Sequence, residues 1–321
     1  CPFHNDRHPS MRVTPSRQIY KCFVCGAGGD VFDFLIRHEN MSFTEAVLWC
    51  ARRAGMQVEE TEVTKEELEI RKHREALYIT MDAATNFFQS QLPLAGVYMK
   101  ERGYSLDDAI LKTFHIGYAP QGNKAYSHLT SSGYLSQNLV EVNVVAKGDY
   151  DYYDVFRDRI VFPFLDMQGR PVAYSGRIVT PNKKVGKYVN TTDTPLFHKG
   201  KHLFGLYQAY RFISQVGYVY LVEGQFDVMS LYAAGVKNVV AGSGTALTED
   251  QVKLISRYSN KVVLVYDDDE AGIKASMKNC ETMLRAGLNI NCVRLPQGKD
   301  PDDLAREKKE QTLAWLNNNT A

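Results

Sequence analysis

From about Ser214 onward one pattern recurs: a short apolar run, a turn, then a stretch of helical periodicity. The apolar runs are YVYLVEG (218–224), VKNVVAG (236–242), KVVLVYDDDE (261–270) and NINCVRL (289–295). FDVMSLYAAG, TEDQVKLISRY, a segment ending at Gly287 and a short segment from Pro301 alternate with them. Runs this short that are apolar at successive positions read as strands buried on both faces, and helical connections between them make the strands parallel. No other feature restricts the fold so tightly. It also restricts where a ligand can sit, because open α/β sheets bind at the carboxyl ends of their strands.

Acids gather at those ends. Glu223 closes the first run, with Asp227 four residues later. Asp267 and Asp269 close the third, and Asp300 and Asp302 (KDPDD) follow the fourth. Carboxylates converging on one edge repel one another unless cations neutralise them. Hard oxygen donors favour magnesium or manganese, two ions or more, with open positions for substrate phosphate. Glu223 serves either as a metal ligand or as a base, and the sequence leaves both roles open. Asp250, Asp268, Glu270 and Asp303 read as helix caps or solvated loop residues. Charge is uneven although the net charge is only +1. Residues 157–201 carry nine basic and three acidic side chains, whereas 215–321 carry twelve and fourteen. A basic middle beside an acidic end suits a protein that holds phosphates with one part and divalent cations with the other.

The first 55 residues form a different kind of unit. Cys1-x2-His4 and Cys22-x2-Cys25 are two knuckles separated by seventeen residues. Zinc takes four such donors at tetrahedral corners, and a two-residue gap lets both side chains of a knuckle point inward from one turn. His8 would have to reach through a larger loop, so His4 is the expected fourth ligand. Four protein ligands leave no open position, which makes the expected single zinc structural. A module this small needs such a staple. Cys50, Cys280 and Cys292 lack metal-like spacing and are expected to be ordinary buried thiols. SMRV and QIYKC read as short strands and DVFDFLIRH as a helix. Ser42-Phe43-Thr44-Glu45 has the pattern of a capping box opening a helix to about Arg53 that Gly55 ends.

QVEETEVTKEE (57–67) reads as a linker running into a long helix from about Lys65 to Gln91, with Leu77, Met81, Ala84 and Phe88 on one face. YMKERG and SLDDAILKTF suggest two short helices, and RIVFPFLDMQGRPVAYSGRIV a hairpin around Gln168-Gly169. The expected organisation is a zinc-binding domain over 1–56, a linker over 57–68, a basic mixed α/β subdomain over 69–214 and a parallel-sheet subdomain over 215–321. The chain is thus an α/β (α+β multidomain) protein. With 321 residues, 44% apolar, it can build sizeable cores. No run reaches the length of a membrane span and no secretory signal is visible. Clustered cysteines without a disulfide framework suit a reducing, cytoplasmic setting.

These motifs together resemble the bacterial replicative primases of the DnaG type. CPFHNDRHPS with CFVCGAGGD looks like their CHC2 zinc module. VEGQFD with DDDEAG looks like the TOPRIM motifs that primases share with type IA topoisomerases and some nucleases. FRDRIVFPFLDMQGRPVAYSGRI, KYVN and FHKGKHLFGLYQA, together with YMKERG and FHIGYAP, are similar to the basic part of the primase polymerase domain.

The resemblance implies template-directed synthesis of short RNA primers from ribonucleoside triphosphates on single-stranded DNA at the replication fork. Glu223, Asp267 and Asp269 would be catalytic and, with Asp300 and Asp302, would hold the magnesium ions. Arg102, Arg177, Lys187 and Lys199 fall on positions associated with nucleotide and triphosphate contact. Arg157, Arg159, Asn190 and Lys201 lie in the same motifs and would contact nucleic acid. Tyr188 and Phe197 could stack on bases or pack in a core. Arg12, Arg17 and Lys21 could touch the template from the zinc module. A segment before Cys1, the remaining helical part of the polymerase domain and a C-terminal domain that docks on the replicative helicase are expected beyond the chain's ends. Two other readings stay open: a TOPRIM-type nuclease whose metals activate water, and a non-catalytic single-strand-binding module. A topoisomerase would need a tyrosine-bearing gate domain for which the chain is too short.

Overall fold

A computed structural model describes residues 1–4, 6, 8–39, 41, 43–56, 64–242, 246–266 and 270–320, with the backbone alone over 270–275. The acidic triplet Asp267, Asp268 and Asp269, the cap residue Ser42 and most of the linker lie outside the described residues. The protein divides into two compact units, Cys1–Leu68 and Glu69–Ala321.

In the first unit β1 (Met11–Thr14), β2 (Ile19–Cys22) and β3 (Gly28–Gly29) form an antiparallel sheet, with Met11 opposite Cys22 and Thr14 opposite Ile19. Helix α1 (Val31–His38) starts at Asp30, whose carboxylate accepts from Asp33 N while Asp33 accepts from Asp30 N, at 3.0 and 3.1 Å. This reciprocal capping satisfies two of the amide donors that a helix start leaves unpaired. Helix α2 (Phe43–Arg53) follows, and Gly55 takes the left-handed φ of +67° just past its end. Tyr20, Cys22 and Ala27 are the buried members of the core, with Cys1, Phe3, Met11 and Phe34 packed against them.

The second unit is entered by α3 (Lys65–Gln91), which buries the expected Leu77, Met81, Ala84 and Phe88. After α4 (Gly96–Glu101) and α5 (Ala109–Thr113), β4 (Gly117–Ala119) joins an antiparallel sheet with β7 (Arg159–Leu165), β8 (Pro171–Ile178) and β9 (Tyr188–Asn190) in the order β4-β7-β8-β9. The β7–β8 turn is the expected hairpin. Gly169 adopts φ +82°, and Asp166 accepts from Gln168 N and Arg170 N across it. Between β4 and β7 lie α6 (Lys124–Ser131), α7 (Ser136–Glu141) and the hairpin of β5 (Val145–Lys147) with β6 (Tyr152–Asp154), none of which the sequence pattern announced.

Helix α8 (Leu206–Val216) leads into the parallel sheet. Its strands are β10 (Val219–Val222), β11 (Val239–Ala241), β12 (Lys261–Val265) and β13 (Asn289–Val293), ordered β11-β10-β12-β13. The crossovers are α9 (Gln225–Ala233), α10 (Glu249–Ser256) and α11 (Glu270–Arg285), and α12 (Pro301–Lys308) and α13 (Thr312–Asn318) complete the chain. On β10 the faces alternate as strand geometry requires. Tyr220 and Val222 join one core, Val219 and Leu221 the other. The first of these cores runs from Leu77 on α3 through the antiparallel sheet to Leu316 on α13, and the second lies on the other face of the parallel sheet.

The cysteine expectation is corrected. Cys292 is exposed and Cys280 and Cys50 are half-buried. Strand β13 lies at the sheet edge, so its run NINCV is open to solvent at Asn289, Asn291 and Cys292. Among the described residues no helix is long and apolar enough to cross a membrane.

Candidate active site and metal centre

The zinc knuckles converge as their spacing predicts. The donor atoms of Cys1, His4, Cys22 and Cys25 all lie within 4.8 Å of one another. Cys1 Sγ is 3.8 Å from Cys25 Sγ, and Cys22 Sγ is 3.9 Å from His4 Nδ1. A tetrahedral zinc with Zn–S bonds of about 2.3 Å sets its sulfurs about 3.8 Å apart, so this donor set fits the ion. Burial raises the Cys22 thiol, but hydrogen bonds from the backbone of Cys25 and Val24 outweigh it and lower the pKa, as a thiolate ligand requires.

The other ring nitrogen, His4 Nε2, is buried without a hydrogen-bond partner among the described residues and faces Asp6 Oδ1 at 3.7 Å. A carboxylate behind a ligating imidazole fixes its tautomer. Asp6 is in turn held by Ser10 N at 3.3 Å and His8 N at 3.4 Å. His8 thus supports the centre through its backbone. The sequence reading overlooked Asp6; its position two residues past His4 is the signal that could have found it.

The second centre is a pocket of about 320 Å³ within the second unit. One wall comes from the parallel sheet: Glu223 at the end of β10, the start of α9, and Asp300 and Asp302 at the start of α12. The facing wall brings Arg102 from the end of α4, Arg177 and Ser175 from β8, and Lys187, Tyr188 and Asn190 from β9 and the residue before it. Three of the five expected acids and four of the eight expected basic or polar residues therefore share one cavity. Asp267 and Asp269 lie outside the described residues. They follow β12, which pairs with β10 in parallel, by two and four residues.

Three of the acids are tied to the fold by hydrogen bonds. Asp300 caps α12, accepting from Asp303 N at 2.7 Å. Asp227 accepts from Gly224 N at 2.9 Å and shapes the turn after Glu223. Asp302 is buried; it accepts from Ser230 Oγ and from Arg306 Nη2 at 2.5 Å, and Arg102 Nη1 stands 3.9 Å away. Burial pushes its pKa above the ordinary carboxylate range, while the Ser230 hydrogen bond and the Arg306 and Arg102 charges pull against that.

The cations are oriented by rings. Arg177 Nη1 donates to Tyr188 Oη at 2.9 Å, and the guanidinium carbons of Arg102 and Arg177 lie 5.1 and 5.5 Å from the centre of the Phe226 ring. Two like charges tolerate one pocket better when a shared aromatic face attracts both. Phe226, Arg306 and Ser230 were not singled out from sequence, because nothing local marks them.

Other expected residues are placed elsewhere. Lys199 and Lys201 sit on an exposed turn (Lys199–Lys201) held by Gln251, whose Nε2 donates to Lys199 O and His202 O. Arg157 is exposed on a separate surface depression with Lys183. Arg159 departs from the expectation of a nucleic-acid contact. It is 4% exposed, and its guanidinium donates to Gly176 O, Gly186 O and Lys187 O. Its charge is spent on pinning the segment that carries Lys187. Phe197 is a core residue packed on Phe164 and His202, whereas Tyr188 lines the pocket.

Comparison with known proteins agrees with this division of labour. Residues 1–66 match the CHC2 zinc finger family, 84–210 the N-terminal domain of the DNA primase catalytic core, and 220–305 a Toprim-like family. The chain is 37% identical over 323 residues to the DNA primase of Aquifex aeolicus, covering all of this chain and 63% of that protein. It is 34% identical to that of Clostridium acetobutylicum, covering 98% of this chain and 53% of that one. A crystal structure of the zinc-binding and RNA polymerase domains of the A. aeolicus primase superposes with a TM-score of 0.71, at 37% identity, over 100% of this chain and 78% of that one.

The chain belongs to the bacterial DnaG-type primase family. It spans about half to two thirds of the length of these curated relatives. A DnaG catalytic domain bound to single-stranded DNA also superposes on it, with a TM-score of 0.69 and 32% identity, over 78% of this chain and 80% of that one. The CHC2 match and the four converged donors assign zinc to the first unit, and the Toprim-like match assigns divalent-metal binding to the second.

Proposed function

We propose that this chain carries the primer-synthesising activity of its family: it joins ribonucleoside triphosphates into short RNA primers on a single-stranded DNA template. The observation that carries the reading is the single cavity in which Glu223, Asp300 and Asp302 face Arg102, Arg177 and Lys187. A cleft lined by acids alone would bind cations and nothing more. Opposed acids and bases suit a substrate whose triphosphate meets both.

In this reading Glu223, Asp300 and Asp302, joined by Asp267 and Asp269, hold two or more magnesium or manganese ions. When bound, these ions supply the charge that activates a ribose 3′-hydroxyl and neutralises departing pyrophosphate. Arg177, fixed by Tyr188, grips phosphate with its planar fork, and Lys187 adds a compact point charge. Arg102 holds a neighbouring phosphate oxygen from its place beside Phe226. Lys199, Lys201 and Arg157 lie outside this cavity and attract the template backbone. The zinc module, with Arg12, Arg17 and Lys21, contributes to template choice, and in the whole protein a further domain docks on the replicative helicase at the fork.

The test is synthesis of labelled RNA from ribonucleotides on single-stranded DNA with magnesium, comparing the parent with Glu223→Gln and Asp267→Ala. Each variant should lose at least about a thousandfold in rate, roughly 4 kcal/mol of transition-state stabilisation, while still binding single-stranded DNA. Product formation at the parent's rate by either variant would sink the reading. Cut DNA in place of RNA would replace it with a nuclease.

A further inference from the structure

The cavity contains two polar groups that the acid–base division leaves without a role, and of these the family resemblance touches only Asn190, as a nucleic-acid contact. Ser175 is fully buried, and its hydroxyl has no hydrogen-bond partner among the described residues. The buried Asn190 Oδ1 is likewise without one. Both residues line the cavity, and they are direct cross-strand neighbours, Ser175 on β8 opposite Asn190 on β9. An unpaired buried polar atom is costly, and natural structures keep few of them. Two side by side in a pocket wall point to a ligand that completes them.

The register says what kind of ligand. Arg177 and Tyr188 form the cross-strand pair two residues along. Side chains two apart on a strand share a face, about 6.6 Å apart along it. One strip of sheet therefore presents a phosphate-gripping guanidinium and, one step away, an orphan hydroxyl and an orphan carbonyl oxygen. That step is comparable with the distance between the phosphates and the ribose hydroxyls of a nucleotide. The Asn190 oxygen can only accept, so it needs a donor. The Ser175 hydroxyl can donate or accept. A ribose diol offers two hydroxyls, each able to donate and to accept, enough to complete both groups, and a deoxyribose has lost one of the two.

We propose that Ser175 and Asn190 form a ribose-hydroxyl subsite that selects ribonucleotides over deoxyribonucleotides. The assignment rests on the primer-synthesis reading, to which it adds the basis of sugar choice. A site built to hydrogen-bond a substrate hydroxyl discriminates strongly against the analogue without it, because its own polar groups are then left unpaired. Ser175→Ala deletes one of those groups while keeping the fold's shape, so the ligand-free variant should melt no lower than the parent.

The experiment measures binding of ATP and 2′-deoxy-ATP by calorimetry, with magnesium, to the parent, Ser175→Ala and Asn190→Ala. A parallel arm compares extension of a short RNA primer with extension of a DNA primer of the same sequence. The parent should prefer ATP, each variant should lose about tenfold in ATP affinity, and binding of 2′-deoxy-ATP should stay put. Loss of preference for the triphosphate places the subsite at the incoming nucleotide, and loss confined to the primer arm places it at the primer's 3′ end. Preferences unchanged in both arms overturn the subsite while leaving the functional reading intact. A parent that binds neither triphosphate overturns both. Equal loss for ATP and 2′-deoxy-ATP marks Ser175 and Asn190 as structural and also overturns the proposal.

Discussion

The two units solve the same problem by opposite means. In the first, the core cluster has three buried members, one of them the metal ligand Cys22, while Phe23 and Val24 stand 73% and 68% exposed on the knuckle itself. In the second, one apolar interior links α3, both sheets and the last helix. The first unit has too little apolar area to offset its chain entropy and depends on four donor atoms for closure. The second depends on burial and gathers polar residues from several elements into one cavity. The centres differ in the same way. Two local knuckles within 25 residues build the zinc centre, whereas the cavity of the second unit draws on positions from 102 to 302.

Zinc removal separates the two most sharply. Structural zinc in small modules contributes about 10–16 kcal/mol at neutral pH, more than a unit of this size has to spare. Chelation should abolish the amide dispersion and protease resistance of 1–56 while the calorimetric melting of the second unit stays where it was. A first unit that keeps its dispersed amides without metal would overturn the contrast. The matching change in the second unit is smaller. Tyr174 Oη meets Thr85 Oγ1 at 2.7 Å and Met81 O at 2.9 Å in the interior between β8 and α3. Tyr174→Phe should cost about 1–3 kcal/mol by denaturant unfolding, with no change in zinc content. A stability equal to the parent's would show that this interior is held by packing alone.

What was legible in the sequence follows the same line. Knuckle spacing picked out the four donors that converge, because the geometry of the site is local. Strand-end position picked out Glu223, Asp300 and Asp302 as acids that line one cavity, because parallel sheets send every carboxyl end to one edge. The opposite wall was harder to read. That Ser175 meets Asn190 is a matter of β8–β9 register, and no pattern within either segment encodes it. Phe226 acts through side chains 124 and 49 residues before it, Arg102 and Arg177. Arg159 shows the limit of charge counting. Its segment is basic, yet three backbone carbonyls take up its guanidinium, and only burial distinguishes it from the exposed Arg157. Cys292 was misjudged because a run of strand-forming residues does not say whether its strand ends up central or at the edge.

Within the cavity, acid titration sharpens the picture of Asp302. Burial holds its pKa up and Arg306 helps hold it down, so the charged form that would bind a cation fills as pH rises through that raised value. Arg306→Gln removes one of the opposing charges. The acid limb of the rate–pH profile should therefore move to higher pH, with the plateau less affected. A limb that moves to lower pH, or stays in place, would show that Asp302 does not govern it.

The smallest effect lies on the exposed turn. Lys201 is outside the cavity and solvent-exposed, so in the proposed reading it meets the template through charge alone, and its effect should be additive. Replacing it with alanine should weaken binding to all single-stranded sequences alike and flatten the slope of log affinity against log salt by about 0.7, the value for one phosphate contact on a single strand. The catalytic rate at saturating template should not move. Arg159→Ala provides the contrast. Its guanidinium is buried, so the loss should appear as reduced stability and a displaced Lys187, with little change in salt slope. If Arg159→Ala flattens the slope as Lys201→Ala does while stability holds, then the buried arginine reaches the template after all, and the division between residues that build the wall and residues that meet the strand has been drawn in the wrong place.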